Sequence, residues 1–126
     1  MTHPGPFYIL SFAIWYTGTV DAIRRVVFLG SKKMGIRSLE EMYRLSPETL
    51  SAVITPDDRA DQRSVLDRFG QFCASHRLNF RVAKNNEDFE AFIGELSPEL
   101  CIVVGWYWRI RREILKVVPY GFLGIH

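Results

Sequence analysis

The sequence predicts an α/β protein, a three-layer sandwich built on a mainly parallel, five-stranded sheet. Three features carry the prediction. From residue 23 onward, short β-branched apolar runs alternate with stretches whose apolar residues recur at helical spacing. The apolar runs are hydrophobic at almost every position, as in strands covered on both faces rather than one. The two kinds of segment also take turns along the chain, which yields βαβ units with right-handed crossovers. A chain of 126 residues fits one domain of the usual size and buries roughly two thirds of its unfolded surface, enough for a core without disulfides or structural metals.

The first strand is the run Ile23, Val26, Val27, Phe28 and Leu29, ending at Gly30. Ser31 to Gly35 are expected to form the loop after it. Met34, Leu39, Met42, Tyr43 and Leu45 then mark the apolar face of a first helix, which Ser46-Pro47 stops. A second strand is expected at Leu50 to Ile54, followed by a loop in Thr55-Pro56-Asp57-Asp58-Arg59, where Asp57 and Asp58 read as turn and cap residues. Val65, Leu66, Phe69, Phe72 and Cys73 mark a second helix running toward His76, whose ring can meet the last carbonyls. Phe80 to Val82 is a short third strand, and Asn85 or Asn86 can cap a helix with Phe89, Phe92, Ile93 and Leu96 on its apolar face. Ser97-Pro98 ends that helix. Leu100 to Val104 is apolar throughout and is expected to be central in the sheet. Ile110, Ile114, Leu115 and Val118 suit a short helix closed by Pro119, and Phe122 to His126 a fifth strand. Such an order is Rossmann-like. It places ligands outside the carboxyl ends of the strands, at Gly30-Ser31, Thr55-Pro56, Gly105 to Trp108 and His126.

Residues 1–22 stand apart as an appendage. Phe7 to Tyr16 is apolar but only ten residues long, short of the ~20 of a membrane-spanning helix. It lacks the preceding positive charge and small-residue cleavage site of a secretory signal. Cys73 and Cys101 have no metal-ligand spacing and read as buried free thiols of a reducing cytoplasm, so no metal site is expected. The net charge of +2 is too small to imply a nucleic-acid or membrane partner. Arg109, Arg111, Arg112 and Lys116 against Glu113 concentrate positive charge near the C-terminus, as a solvated helix face does.

Gly30 and Gly35 suggest a phosphate-binding loop, but two tests exclude the familiar versions. A Walker loop needs Lys then Ser or Thr after the second glycine, where Ile36 and Arg37 stand, and a dinucleotide fingerprint needs glycine where Lys32 stands. Gly105-Trp106-Tyr107-Trp108 sets three aromatics at a strand mouth, suited either to lining a core or to a flat heteroaromatic ligand. His126, at the tip of the fifth strand, is placed for acid–base work.

These residues together resemble the folate-dependent formyltransferases. Arg25 to Gly35 (RVVFLGSKKMG) with Ser38-Leu39 resembles their opening strand, glycine loop and first helix. Val53-Ile-Thr-Pro-Asp57 resembles the second strand and loop, and Pro98 to Trp108 with Gly121 to His126 the fourth and fifth strands. The resemblance spans residues 23–126 and implies a folate-binding N-terminal domain. It implies transfer of a formyl group from 10-formyltetrahydrofolate to an amine, with backbone groups between Trp106 and Ile110, including those of Tyr107 and Trp108, holding the pterin. His126 would stabilise the tetrahedral intermediate and move protons. The Gly-Trp-Tyr-Trp form looks most like the enzymes whose acceptor is a nucleotide-linked amino sugar. Methionyl-tRNA is the alternative, which the low charge disfavours.

Three departures from the family pattern stand out. Gly124 occupies a position where many members carry Asn, and Arg109 and Arg111 replace an apolar residue and a proline after the aromatic box. The loop and the Asp-bearing strand expected after His126 do not follow it. A C-terminally incomplete domain is therefore expected, with little or no catalysis by the chain alone. The competing expectation is a non-enzymatic gene remnant, whose uncovered final strand would promote self-association.

Overall fold

The computed structural model describes residues 23–125, and the appendage at residues 1–22 and His126 lie outside them. Five strands form one parallel sheet: β1 (Val26–Gly30), β2 (Leu50–Pro56), β3 (Phe80–Ala83), β4 (Leu100–Val104) and β5 (Phe122–Ile125). Their order is β3-β2-β1-β4-β5. The α/β Rossmann-like architecture expected from the sequence is present. β1, rather than β4, is the middle strand, with all five of its residues buried. β4 is interior too, paired with β1 on one side and β5 on the other.

Four helices cover the sheet: α1 (Lys32–Leu45), α2 (Leu66–Ser75), α3 (Asn86–Leu96) and the short α4 (Arg112–Val117). Side chains alternate across each strand, so the sheet feeds two apolar layers. On one face Phe28, Val53 and Ile102 meet Ile36, Leu39 and Met42 of α1 and Phe69 and Cys73 of α2. On the other, Val27, Leu29, Ile54 and Cys101 meet Phe89 and Ile93 of α3, with Ile114 of α4 packed alongside. Both cysteines are buried and free. Burial alone pushes the Cys73 thiol up to about 12 and raises that of Cys101 as well.

Local chemistry explains where elements start and stop. The Asn85 side chain accepts from the Asp88 N–H at 2.9 Å and so caps α3, and the Asp88 carboxylate accepts from the N–H of Lys84, just before the cap, at 2.9 Å. It closes at Ser97, in the left-handed region at φ 49°, just ahead of Pro98. Glu99 then ties the amino edge of the sheet: its Oε1 accepts from the N–H groups of Arg24 and Arg25 at 2.7 and 2.9 Å. Those two bonds hold its carboxyl below the usual glutamate range. The His76 ring lies 2.8 Å from the Phe72 carbonyl through Nδ1, as expected for a helix end.

Several expectations need correction. α1 begins at Lys32, so Ser31 to Gly35 are not a loop; Gly35 is already inside the helix. A Cβ at Gly35 would lie 3.2 Å from both the Phe69 ring and the Val104 carbonyl, so the helix starts hard against β4. Met34 is 47% exposed and does not belong to the core face, which Ile36, Ser38, Leu39 and Met42 make. β2 runs on through Thr55 and Pro56, with Pro56 level with Ala83 at the end of β3. No helix among the described residues is long and apolar enough to cross a membrane.

Candidate functional site

The strand order reverses between β1 and β4, and the loops leaving these strands diverge at that point. They are also stitched together there. The Ser31 N–H donates to the Val104 carbonyl at 3.1 Å, and the Ser31 hydroxyl donates to the Gly105 carbonyl. Gly105 has φ 75°, and a Cβ on it would lie 2.6 Å from the Ser31 carbonyl oxygen. Glycine is therefore required at Gly105 twice over, by backbone conformation and by space.

From Gly105 the chain enters the aromatic segment, whose side chains split in direction. Trp106, Trp108 and Ile110 are partly buried in the apolar layer under α3 and α4. The Trp106 ring lies 5.0 Å from that of Phe89 and 5.4 Å from that of Trp108. Tyr107 turns the other way and is 59% exposed, with its hydroxyl 3.5 Å from Nζ of Lys32. The three aromatics are thus not one cage. Two line the core and one reaches over the mouth of β1.

Two features of this segment suit a ligand. The indole Nε1 of Trp106 is buried with no hydrogen-bond partner among the described residues. An orphan donor of this kind is uncommon, since leaving it unpaired costs about 1–3 kcal/mol. In addition, no backbone N–H or carbonyl between Trp106 and Ile110 bonds to the backbone of another described residue. A small pocket of about 160 Å³ opens beside them, lined by Met34, Val103, Gly105, Trp106, Gly124 and Ile125. His126 lies outside the described residues; Ile125, just before it, is level with Val104.

A second cleft, of about 480 Å³, lies on the other side of Met34, between Lys32, Lys33, Arg63 and Ser64. At its edge is a pair that was not legible in the sequence. Lys32 is ion-paired with Asp58, whose side chain is only 3% exposed, and Ser64 donates to the same carboxylate at 2.7 Å. Asp58 opens a turn as expected, its carbonyl accepting from the Asp61 N–H at 2.9 Å, and its side chain is in addition a buried partner of Lys32. Burial opposes the Lys32 charge, but Asp58 and Tyr107 outweigh it and raise the pKa above the ordinary 10.5. Asp57, by contrast, faces outward to Arg59, which grips it at 2.8 and 2.6 Å and pulls its carboxyl down to about 2.

Arg111 is placed by a similar grip. It donates through Nε and Nη2 to Glu90 of α3 at 2.7 and 2.9 Å, which ties the exit of the aromatic segment to the neighbouring helix. The positive charge near the C-terminus is thereby partly neutralised. Among the described residues no group of three His, Cys, Asp or Glu is arranged to hold a metal ion.

No protein-family model matches the chain. Individual proteins do. It is 29% identical over 106 residues to a methionyl-tRNA formyltransferase of Halothermothrix orenii, covering 80% of this chain and 34% of that protein. It is 31% identical over 107 residues to the methionyl-tRNA formyltransferase of Pelotomaculum thermopropionicum, with 81% and 34% covered. The corresponding protein of Koribacter versatilis is 30% identical over 107 residues, with 80% and 34% covered. The chain spans about a third of the length of the curated relatives it matches. The formyltransferase resemblance is supported, whereas none of these three relatives is named for a sugar acceptor. Over about four fifths of its length, the chain is similar in sequence to methionyl-tRNA formyltransferases.

Proposed function

We infer that residues 23–126 form the folate-binding part of a formyltransferase, taking 10-formyltetrahydrofolate as formyl donor and an amine as acceptor. The observation that carries the reading is the segment Trp106 to Ile110, with unpaired backbone groups and an orphan indole N–H beside a pocket at the strand-order reversal. A flat ring bearing both donors and acceptors fits such a segment. Trp106, Tyr107, Trp108 and Ile110 would hold it through their main chain, with the Trp106 Nε1–H as a further donor. When bound, the folate supplies the formyl carbon. His126 would take a proton from the attacking amine and deliver it to N10 of the folate, so that the bond from N10 to the formyl carbon breaks as the amide bond forms.

The acceptor that the relatives support is methionyl-tRNA, the one their names give. The nucleotide-linked amino sugar rests on the Gly105-Trp106-Tyr107-Trp108 motif alone. Titration calorimetry of the full chain with 5-formyltetrahydrofolate tests the donor site, with saturable one-to-one heat expected and no heat overturning it. Tritiated formyl transfer to methionyl-tRNA and to a nucleotide-linked amino sugar, run side by side, then distinguishes the acceptors.

A further inference from the structure

We propose that Lys32 is a positioning residue for the aromatic segment, tying the mouth of β1 to Tyr107 through a buried anchor at Asp58. The proposal rests on the folate reading of that segment.

Lys32 stands where three loops converge. It is the first residue of α1, separated from β1 only by Ser31, and its backbone is in the left-handed region at φ 65° although it is not glycine. A non-glycine residue stays there when its surroundings over-determine it. The surroundings are visible: Nζ pairs with Asp58 from the loop after β2, lies 3.6 Å from an Asp61 oxygen, and sits 5.0 Å from the centre of the Tyr107 ring. The Tyr107 hydroxyl is 3.5 Å from the same nitrogen, at the outer limit of a hydrogen bond.

The anchor end is fixed. Asp58 is almost fully buried and also accepts from Ser64 at 2.7 Å, so its carboxylate cannot swing out without losing two charge-assisted bonds. The other end has few holds of its own, since Tyr107 is 59% exposed and its segment makes no backbone hydrogen bonds to other described residues. Lys32 is the group that joins the two. The ammonium both faces the ring and approaches its hydroxyl, so it fixes where the ring sits over β1. Because Tyr107 lies between Trp106 and Trp108, holding its side chain fixes the peptide groups on either side, those proposed to face the pterin. The neutral, flat ligand part is met by backbone. Lys32 spends its charge on the protein and need not touch the ligand.

The test compares full-length variants by two readouts. Lys32→Met keeps the aliphatic stem but leaves Asp58 buried and uncompensated, so the double variant Lys32→Met/Asp58→Asn is made beside it, and Lys32→Arg is the conservative control. The first readout is ¹⁹F NMR of protein carrying 3-fluorotyrosine, with the Tyr107 line assigned by Tyr107→Phe. The double variant is expected to move that line toward free fluorotyrosine while the Tyr43 line stays in place, and Lys32→Arg to restore it. The second is affinity for 5-formyltetrahydrofolate, expected to fall roughly 3- to 30-fold in the double variant. An unmoved Tyr107 line, or one that moves only together with Tyr43, overturns the tether. A moved line with unchanged folate affinity overturns the positioning role. Absence of folate binding by the unaltered chain overturns the folate reading instead, and the NMR line still decides the tether.

Discussion

Ser31 and Gly105 face each other across the point where the sheet reverses its strand order, each occupying space the other leaves. A Cβ at Gly105 would lie 2.6 Å from the Ser31 carbonyl oxygen, and the Ser31 hydroxyl donates to the Gly105 carbonyl. The hydroxyl is spent on this bond, and α1 accordingly begins with no side-chain cap from Ser31. The loops after β1 and β4 are therefore joined where they begin, at Ser31 and Gly105.

Gly105→Ala should break that junction. The residue must hold φ 75° and displace a backbone oxygen that has no rotamer to escape into. We expect a loss of about 3 kcal/mol or more in urea denaturation. Gly94→Ala is the control: nothing lies within 4 Å of its Cβ and it is in the interior of α3, so it should be neutral or slightly stabilising.

Trp106→Phe separates stability from binding. It removes the orphan indole N–H, which offsets the lost packing against Phe89 and Trp108. Stability should stay within about 1 kcal/mol of the parent, unlike the ~3–5 of a truncation to alanine. Affinity for 5-formyltetrahydrofolate should nonetheless fall about 2- to 10-fold, the value of one neutral hydrogen bond. Thermal melts and calorimetry on the same preparation measure both.

The Asp57–Arg59 pair predicts an acid-sensitive contribution. The Asp57 carboxyl is held at about 2 in the folded chain against an ordinary 3.8, chiefly by its hydrogen bonds from Arg59. A depressed pKa stabilises the folded state above the ordinary value and is lost as the pH falls from there toward about 2. Urea midpoints measured between pH 5 and pH 2 should show a steeper fall for the parent than for Asp57→Asn. The pair is exposed, so the difference should shrink in high salt.

Much of this arrangement was legible in the sequence, and the remainder was hidden for identifiable reasons. The run Leu100 to Val104 and the asparagine before Asn86 announce β4 and the cap of α3, because periodicity and capping act within a few residues. The start of α1 was hidden because Ser31, which could cap it, bonds instead to a residue 74 positions away. The ion pair of Asp58 was hidden for the same reason: its partner Lys32 is 26 residues distant, and nothing local to the turn that Asp58 opens points to it. The aromatic box was visible as three residues but not as two directions. Only the strand order, by placing Lys32 under Tyr107, separates that ring from its neighbours.

The folate site proposed at Trp106 to Ile110 stands or falls on hydrogen–deuterium exchange of the full chain with and without saturating 5-formyltetrahydrofolate. The amides of that segment make no backbone hydrogen bonds to other described residues and should exchange fast in the free chain. On adding folate, slowing should be concentrated there, with the amides of β2 and β3 unchanged. Unchanged exchange in Trp106 to Ile110 at a folate concentration that saturates binding would contradict the assignment.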